Sequence, residues 1–263
     1  DLAESLDHVG PLTRSAVDAG IVLQSISGID PNDPTTLSQP VPDMLSRVGM
    51  DVKGLRIGWD REYSTDGMEP SFARAVENGV KVMEGLGAEI VEVKMPVVMR
   101  EAMPAQAVIC QVEAALAHSE TFPSRSEEYG PFFREWLEMG NGHSARDYAR
   151  ANSLRLAMNG GLRNTMRGID VLASPSTSRA SYPVTPEMLY GPIPGNRDPW
   201  DSRFTVPHDF AGIPTIALPC GLNDDGMPVS LQFAGHHLSE PLLVGVGDAF
   251  ERATDFHNLH PSV

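Results

Sequence analysis

The fold is decided by the stretch Phe204–Gly235, which reads FTVPHDFAGIPTIALPCGLNDDGMPVSLQFAG. It predicts a short helix with Thr205 as its N-cap, because a threonine hydroxyl can accept a bond from an amide two or three residues further on. Gly212 suits the left-handed conformation that closes a helix. The apolar run Thr215–Leu218 predicts a buried strand, and the alternation over Val229–Phe233 predicts a second strand after a tight turn.

Upstream of this stretch the chain alternates strands and helices. Residues 53–58 and 89–93 are predicted strands on either side of an amphipathic helix over 70–86, and such a unit implies parallel pairing. Residues 98–168 are predicted to be wholly helical, an insert within a single domain that spans 1–263. We therefore expect an α/β fold with a mixed, mostly parallel sheet flanked by helices.

The amino-acid composition limits the kinds of molecule that the protein is expected to bind and the compartment in which it is expected to lie. The chain has 35 acidic and 20 basic residues, a net charge of −15. Because phosphate recognition depends on clustered Lys and Arg, nucleic acid and anionic membrane surfaces are disfavoured. No apolar run approaches the ~20 residues that span a bilayer. The two cysteines, Cys110 and Cys220, lie far apart in the sequence, which favours a reducing, cytoplasmic location over a disulfide framework.

Several phrases resemble the amidase signature family, whose members are serine hydrolases of carbon–nitrogen bonds that use a Ser–cis-Ser–Lys triad. They are SLDHVGPLTRS over 5–15, KGLRIG over 53–58, the central stretch, and EPLLVGVGDAFERATDFH over 240–257. The resemblance covers roughly residues 1–96 and 168–261. It implies hydrolysis of a carboxamide through an acyl-serine intermediate, with no metal or organic cofactor.

The triad that the resemblance implies is absent from this sequence. It requires a buried, neutral lysine as base and a nucleophilic serine in a Gly/Ser-rich loop. The three lysines, Lys53, Lys81 and Lys94, match ordinary positions of the family's distal half, and the loop is missing. The chain begins at Asp1 rather than Met, and by family order both elements lie upstream of it. We therefore expect the fold to be incomplete at its amino terminus.

The resemblance also implies a substrate-binding segment just before the central helix, where related enzymes place polar groups that hold the far end of the substrate. The candidate substrate-binding residues are Trp200, Asp201, Arg203, Phe204, Thr205 and Asp209. Asp209-Phe210 stands where the family usually has Asn-Leu, which is a departure from the pattern. Each residue also has a structural alternative, since Trp200 can pack in a core and Asp209 can stabilise the first turn of a helix.

Other chemistry is disfavoured. The pairs His236-His237 and His257-x-x-His260 lack the spacing of a zinc-binding helix, and no glycine-rich phosphate loop is present. Ser176 and Cys220 are candidates for a relocated nucleophile. A serine needs an adjacent base, however, and cysteine is among the residues most often buried.

We expect the carboxy-terminal portion of a small-molecule amidase, acting on an amide substrate. Three alternatives stay open. One is the A subunit of a tRNA amidotransferase that uses glutamine. Another is a non-catalytic remnant that binds acyl or amide ligands, and the third is a hydrolase with a relocated nucleophile. Two macromolecular partners are left open. One is a second copy of the chain, which would form a homodimer, and the other is a missing amino-terminal segment.

Overall fold

A computed structural model of the chain describes residues 2–33, 35–179, 181, 183–189 and 198–260. The chain divides into two compact units. The first comprises residues 1–8, 95–165 and 177–212, and the second comprises 9–94, 166–176 and 213–263. The single domain with an insert over 98–168 stays a prediction, and the helical part of that insert lies within the first unit.

The second unit contains a five-stranded mixed sheet. Its strands are β1 (Arg56–Trp59), β2 (Glu89–Glu92), β3 (Val171–Pro175), β4 (Thr215–Leu222) and β5 (Pro228–Gly235). Their order is β2-β1-β3-β5-β4. Strand β1 is parallel to both β2 and β3, whereas β5 is antiparallel to both β3 and β4. The predicted α/β fold with a mixed sheet flanked by helices is confirmed, and two of the four pairings are parallel.

The described residues form eight α-helices. They are α1 (Ala16–Ile26), α2 (Arg61–Thr65), α3 (Pro70–Gly85), α4 (Met99–Ala117), α5 (Pro131–Gly142), α6 (Ala145–Thr165), α7 (Val206–Ala211) and α8 (Glu240–Arg252). Helix α1 is capped by Ser15, whose side chain accepts a bond from the Asp18 amide at 3.0 Å. The short helix α2 is not predicted by the sequence pattern.

Helix α3 packs against β4 and β5 through a glycine. A Cβ atom at Gly79 would lie 3.0 Å from Cδ2 of Leu231 and 3.2 Å from Cβ of Cys220, so only a glycine permits this approach without a shift. Phe72, Val76 and Met83 fill the same face of the helix and are buried. The core of the second unit therefore lies between α3, α8 and the sheet.

The two strands of the central stretch are longer than predicted, and they form a hairpin. At its turn, Oδ1 of Asn223 accepts bonds from the amides of Asp225 and Met227, at 3.1 and 2.8 Å. The pairing register shifts between Pro219 and Gly221. This irregularity lets β4 continue past the proline, where the sequence pattern predicts the strand to end.

The first unit contains the helices α4, α5 and α6 within the range predicted to be helical, with turns between α4 and α5. Helix α4 packs against both α5 and α6. Helix α6 runs unbroken through the adjacent glycines Gly160 and Gly161. A small core of Ala114, Phe122 and Leu137 is packed against aromatic side chains, which explains the aromatic composition of α5 and the turn before it.

Candidate active site

The candidate substrate-binding segment lies in the first unit and consists of a 3₁₀ turn, Pro199–Ser202, followed by α7. The turn is capped by Asp198, whose carboxylate accepts a bond from the Trp200 amide at 3.0 Å. Helix α7 ends at Gly212, which adopts the predicted left-handed conformation with φ of 63°. The predicted N-cap bond of Thr205 is wrong. Its hydroxyl donates back to the carbonyl of Ser202 at 3.2 Å and accepts no bond from the first amides of the helix.

Trp200 is held by two arginines. The guanidinium carbon of Arg100 lies 4.2 Å from the ring centroid of Trp200, and that of Arg203 lies 5.5 Å from it. Such cation–π contacts are each worth about 0.5–1 kcal/mol at exposed sites and more when desolvated. Arg203 is itself buried and lies over the ring of Phe204, at 4.3 Å. The indole is therefore fixed in orientation while it remains partly exposed.

The other predicted residues differ in accessibility. Asp201 is partly exposed and forms an ion pair with Arg179. Thr205 is exposed, whereas Phe204 is a core residue at 1% exposure. A ligand at this segment would thus meet Trp200, Asp201 and Thr205, with Arg203 and Phe204 supporting them from beneath.

Asp209 lies on α7 beside the start of the chain. Its Oδ1 is 3.8 Å from Nδ1 of His8, and that nitrogen lies within hydrogen-bonding distance, 2.6 Å, of the Leu6 carbonyl. Burial raises the pKa of Asp209, an effect opposed by His8 and reinforced by the negative charge of Asp7. Asp209 is therefore a partly buried carboxylate with a raised proton affinity.

The carboxy-terminal turn of α7 is anchored to α6. The carbonyl of Phe210 accepts bonds from Nε of Arg155 at 3.1 Å and from Nδ2 of Asn159 at 2.7 Å. These donors satisfy a carbonyl that the helix itself leaves free. The Phe210 ring is buried in the core, so the unusual Asp209-Phe210 pair places one side chain at the surface and the other inside.

A buried carboxylate, Glu113, lies at the centre of a polar network in the same unit. It accepts bonds from the amide and hydroxyl of Ser5, at 2.9 and 2.7 Å, and from the Tyr148 hydroxyl at 2.8 Å. Arg155 donates to the Ser5 hydroxyl and carbonyl at 2.9 and 2.7 Å. Burial, with the bond to Glu113, raises the pKa of Tyr148. The sequence pattern does not single out this network. Its only signal is a glutamate within the otherwise apolar run VEAALA of α4.

His208 lies inside α7 and is 5% exposed. Among the described residues, neither of its ring nitrogens has a hydrogen-bond partner, and the same is true of Oδ1 of Asn159. Burial lowers the pKa of His208 from 6.5 to about 4, so that the ring is neutral at neutral pH. It packs as an uncharged side chain beneath the candidate site.

Ser176 and Cys220 are the candidates for a relocated nucleophile, and among the described residues neither is activated. Cys220 is buried, and burial raises its pKa to about 12, far from the thiolate form. It lines a cavity of about 250 Å³ in the second unit, with Arg74 and Asp224 also in its wall. The Ser176 hydroxyl bonds the Ser230 hydroxyl, which is not a base. Within the part of the chain that the structure describes, neither side chain has a basic group positioned to remove its proton.

The lysines do not meet the requirements of a neutral base. Lys53 and Lys81 are exposed. Nζ of Lys94 lies 3.4 Å from Asp60 and 3.6 Å from Glu62, and the charge of Asp60 is the main cause of its raised pKa. A general base would need the opposite shift.

Two further properties concern the residues placed by the structure. Across them, no group of three or more His, Cys, Asp or Glu side chains is arranged to hold a metal ion. None of the helices described is both long and apolar enough to cross a membrane.

Comparison with known proteins agrees with the family resemblance of the sequence motifs. A model of the Amidase family matches residues 1–244. An amidase from Pseudomonas putida is 34% identical over 272 residues, which covers 100% of this chain and 56% of that protein. The A subunit of the Glutamyl-tRNA(Gln) amidotransferase of Chloroflexus aggregans is 30% identical over 286 residues, covering 98% of this chain and 57% of that protein. The chain thus spans about half the length of the curated relatives it matches.

Solved structures share the fold. A bacterial aryl acylamidase of the amidase signature enzymes superposes with a TM-score of 0.79 at 19% identity, over 95% of this chain and 53% of the other. The A subunit of the Glutamyl-tRNA(Gln) amidotransferase of Thermotoga maritima gives a TM-score of 0.75 at 25% identity, over 95% of this chain and 54% of the other.

Proposed function

Because the chain belongs to the amidase signature family, we propose that it is part of a hydrolase that cleaves carboxamide carbon–nitrogen bonds through an acyl-serine intermediate. In that reaction a serine oxygen bonds to the carbonyl carbon, and the carbon–nitrogen bond breaks as a proton reaches the departing nitrogen. Water then cleaves the acyl ester and restores the serine. The observation that carries the proposal is the family match over residues 1–244.

The catalytic triad is supplied by a portion of the amidase domain that this chain does not contain. Two observations support this. The chain spans 56% of the Pseudomonas putida amidase. In addition, all three of its lysines are exposed or ion-paired, and none is buried as the family base must be. By family order the missing elements precede Asp1.

This chain contributes the substrate-binding segment. Trp200, Asp201, Thr205 and Asp209 contact the part of the substrate remote from the scissile bond. Arg203 and Phe204 lie beneath them and hold the indole in place. The contact between Arg203 and Trp200 and the partial exposure of Trp200 and Asp201 support this division of roles.

The substrate class is a small-molecule amide. Identity to the Pseudomonas putida amidase, at 34%, supports it. Use of glutamine as an ammonia donor is the second candidate, favoured by several amidotransferase A subunits that are 30–32% identical over nearly the whole chain. The two free, buried thiols support a cytoplasmic location for either enzyme.

Fluorophosphonate labelling with mass mapping tests the proposal. The coding sequence directly upstream of Asp1 is determined, and the protein is prepared both as the 263-residue chain and together with that upstream segment. We expect labelling of a serine in the upstream segment, and ammonia release from aliphatic or aryl carboxamides. Labelling within residues 1–263 would establish a relocated nucleophile instead. Absence of labelling from both preparations would establish a non-catalytic remnant.

Glutamine separates the two substrate classes in the same preparation. Ammonia release from glutamine, with none from the other carboxamides, would favour the amidotransferase. The reverse pattern would favour the small-molecule amidase.

A further inference from the structure

A cavity of about 250 Å³ lies between α3 and the second half of β4, within the second unit. We call it the α3–β4 cavity. Helix α3 presents one face to it, and the residues of that face are Arg74, Ala75, Asn78, Gly79 and Val82. On the other side, the wall is formed by the end of β4 and the turn that follows it.

Small residues form the floor of the cavity. A Cβ atom at Gly79 would lie 3.2 Å from Cβ of Cys220, and one at Gly221 would lie 3.0 Å from Cβ of Ala75. The backbones of α3 and β4 therefore approach each other closely at this point. Because glycine, alanine and cysteine have short side chains or none, no long side chain rises from this floor, and space is left above it.

The size of the cavity limits the size of its occupant. An engineered apolar cavity of about 150 Å³ binds benzene, and ligand pockets commonly span about 300–1,000 Å³. At about 250 Å³, the α3–β4 cavity has room for one aromatic ring with a small polar substituent. Val82 and Phe256 in its wall provide an apolar and an aromatic contact for such a ring.

The charged groups of the wall are a donor and an acceptor held side by side. Nη2 of Arg74 donates to Oδ1 of Asp224 at 3.3 Å, and both side chains are largely exposed, so they lie at the mouth of the cavity. The Asp224 amide also donates to the Ser71 hydroxyl at 3.2 Å, which ties the turn after β4 to the start of α3. Since the two charges offset each other, the mouth favours neither an anion nor a cation.

A neutral carboxamide complements this pair. Its carbonyl oxygen can accept a bond from the Arg74 guanidinium, its N–H groups can donate to the Asp224 carboxylate, and the Asn78 side chain can serve either partner. A carboxylate in the same place would bring a negative charge to Asp224, and an ammonium would bring a positive charge to Arg74. The chemistry of the mouth therefore selects an uncharged group that is both donor and acceptor.

We propose that the α3–β4 cavity binds a small neutral amide with an apolar or aromatic body. The body packs on the small-residue floor beside Val82 and Phe256, and the amide group lies at the mouth against Arg74, Asn78 and Asp224. Binding there uses none of the catalytic groups of the proposed function, so it does not depend on whether the chain takes part in hydrolysis.

Three probes of nearly equal shape test the cavity. They are benzamide, benzoate and benzylamine, which are neutral, anionic and cationic at neutral pH. NMR titration of the 263-residue chain, labelled with nitrogen-15, gives the affinity of each probe and the amides that respond. We expect benzamide to bind with a Kd of about 1 mM, about threefold or more tighter than either charged probe, with shifts centred on residues 74–82 and 220–224. No binding of benzamide, tighter binding of a charged probe, or shifts centred elsewhere would overturn the proposal.

Two substitutions at the mouth should change the preference for charge. Asp224→Asn leaves the Arg74 guanidinium without its carboxylate, so we expect benzoate to bind about threefold or more tighter than to the parent chain. Arg74→Gln should favour benzylamine by a similar factor. Asp225→Asn and Lys81→Gln alter neighbouring charges that do not line the cavity, and each Kd should stay within about twofold. Equal effects of the mouth variants and these controls would exclude Arg74 and Asp224 as the ligand's partners and contradict the proposal.

Filling the cavity provides an independent check. Val82→Phe adds volume to the wall and should weaken benzamide binding about fivefold or more, whereas Leu86→Phe, at an exposed leucine just after α3, should leave it within about twofold. Thermal unfolding verifies that each variant is folded. Unchanged benzamide binding in folded Val82→Phe would mean that the probe lies outside the cavity and would refute the site. If Val82→Phe does not fold, the charge preference of Asp224→Asn, at an exposed turn residue, decides the matter.

Discussion

Arg100 on α4 lies over the indole of Trp200, with its guanidinium carbon 4.2 Å from the ring centroid. Arg203 approaches the same ring at 5.5 Å. The helical insert therefore contacts the candidate substrate-binding segment at this ring as well as through the bonds from α6 to α7. The position of the ring depends on a residue far upstream in the chain.

Replacing Arg100 by glutamine should weaken this connection. We expect Arg100→Gln to lower the free energy of unfolding by about 0.5–1 kcal/mol, the range for a partly exposed cation–π contact. Urea denaturation measures the change. Arg150→Gln, at an exposed arginine of α6, is the control and should change stability by less than about 0.5 kcal/mol. Equal effects of the two substitutions would show that the contact with Trp200 contributes nothing.

The Glu113 network should be far more sensitive. Glu113→Ala leaves the amide and hydroxyl of Ser5 and the hydroxyl of Tyr148 without their acceptor. Ser5 is exposed and Tyr148 is only partly buried, so water reaches the freed donors. Because hydrogen bonds to a charged group contribute about 1.5–3 kcal/mol, we expect a loss of about 1.5–3 kcal/mol in the free energy of unfolding.

Two variants calibrate that prediction. Tyr148→Phe removes one donor and should cost about 1 kcal/mol. Glu138→Ala removes an exposed carboxylate from α5 and should be nearly neutral. Thermal denaturation of Glu113→Ala, Tyr148→Phe and Glu138→Ala ranks the three losses of stability. A loss from Glu113→Ala no greater than that from Tyr148→Phe would mean that water replaces the missing acceptor.

The sequence predicts the hairpin, the strand–helix–strand unit and the family well, because each depends on local signals. Glycine closes α7 at Gly212, Asn223 and Gly226 form the turn between β4 and β5, and apolar spacing positions α3. These signals act within a few residues of each other, so a single sequence is sufficient to read them.

The candidate site is harder to predict, because its contacts join residues far apart in the chain. Glu113 bonds Ser5, 108 positions away, and Arg155 bonds the same serine 150 positions away. No periodicity encodes such contacts. The predicted N-cap of Thr205 fails for a related reason, since the preceding 3₁₀ turn offers its hydroxyl the carbonyl of Ser202 instead.

The adjacent glycines of α6 provide a matched pair. A Cβ atom at Gly161 would lie 2.6 Å from Cβ of Pro96, whose ring cannot move aside, whereas one at Gly160 meets only the end of Arg163 at 3.9 Å. We expect Gly161→Ala to destabilise the protein by about 1–3 kcal/mol through overpacking. Gly160→Ala should stabilise it by up to about 1 kcal/mol, because alanine favours a helix. Thermal unfolding of the two variants should show shifts of opposite sign, and a shared sign would contradict the packing of α6 on Pro96.

The pH dependence of stability should contain a contribution from His208. Burial lowers its pKa in the folded protein to about 4, against 6.5 in the absence of burial. Between these values the unfolded chain takes up a proton that the folded chain does not. The free energy of unfolding therefore falls as the pH drops below about 6.5, by about 2 kcal/mol at pH 5, and the contribution levels off below about pH 4.

His208→Leu removes this contribution and leaves the other titrating groups in place, including Asp209 and Glu251, whose raised pKa values act in the opposite direction. We expect the parent protein to lose about 2 kcal/mol more than His208→Leu between about pH 7.5 and pH 5. Urea denaturation at several pH values measures the difference, and His8→Leu, at a partly exposed histidine, serves as the control. Parallel curves for the parent and His208→Leu would mean that the buried ring gains a partner or solvent when it is protonated.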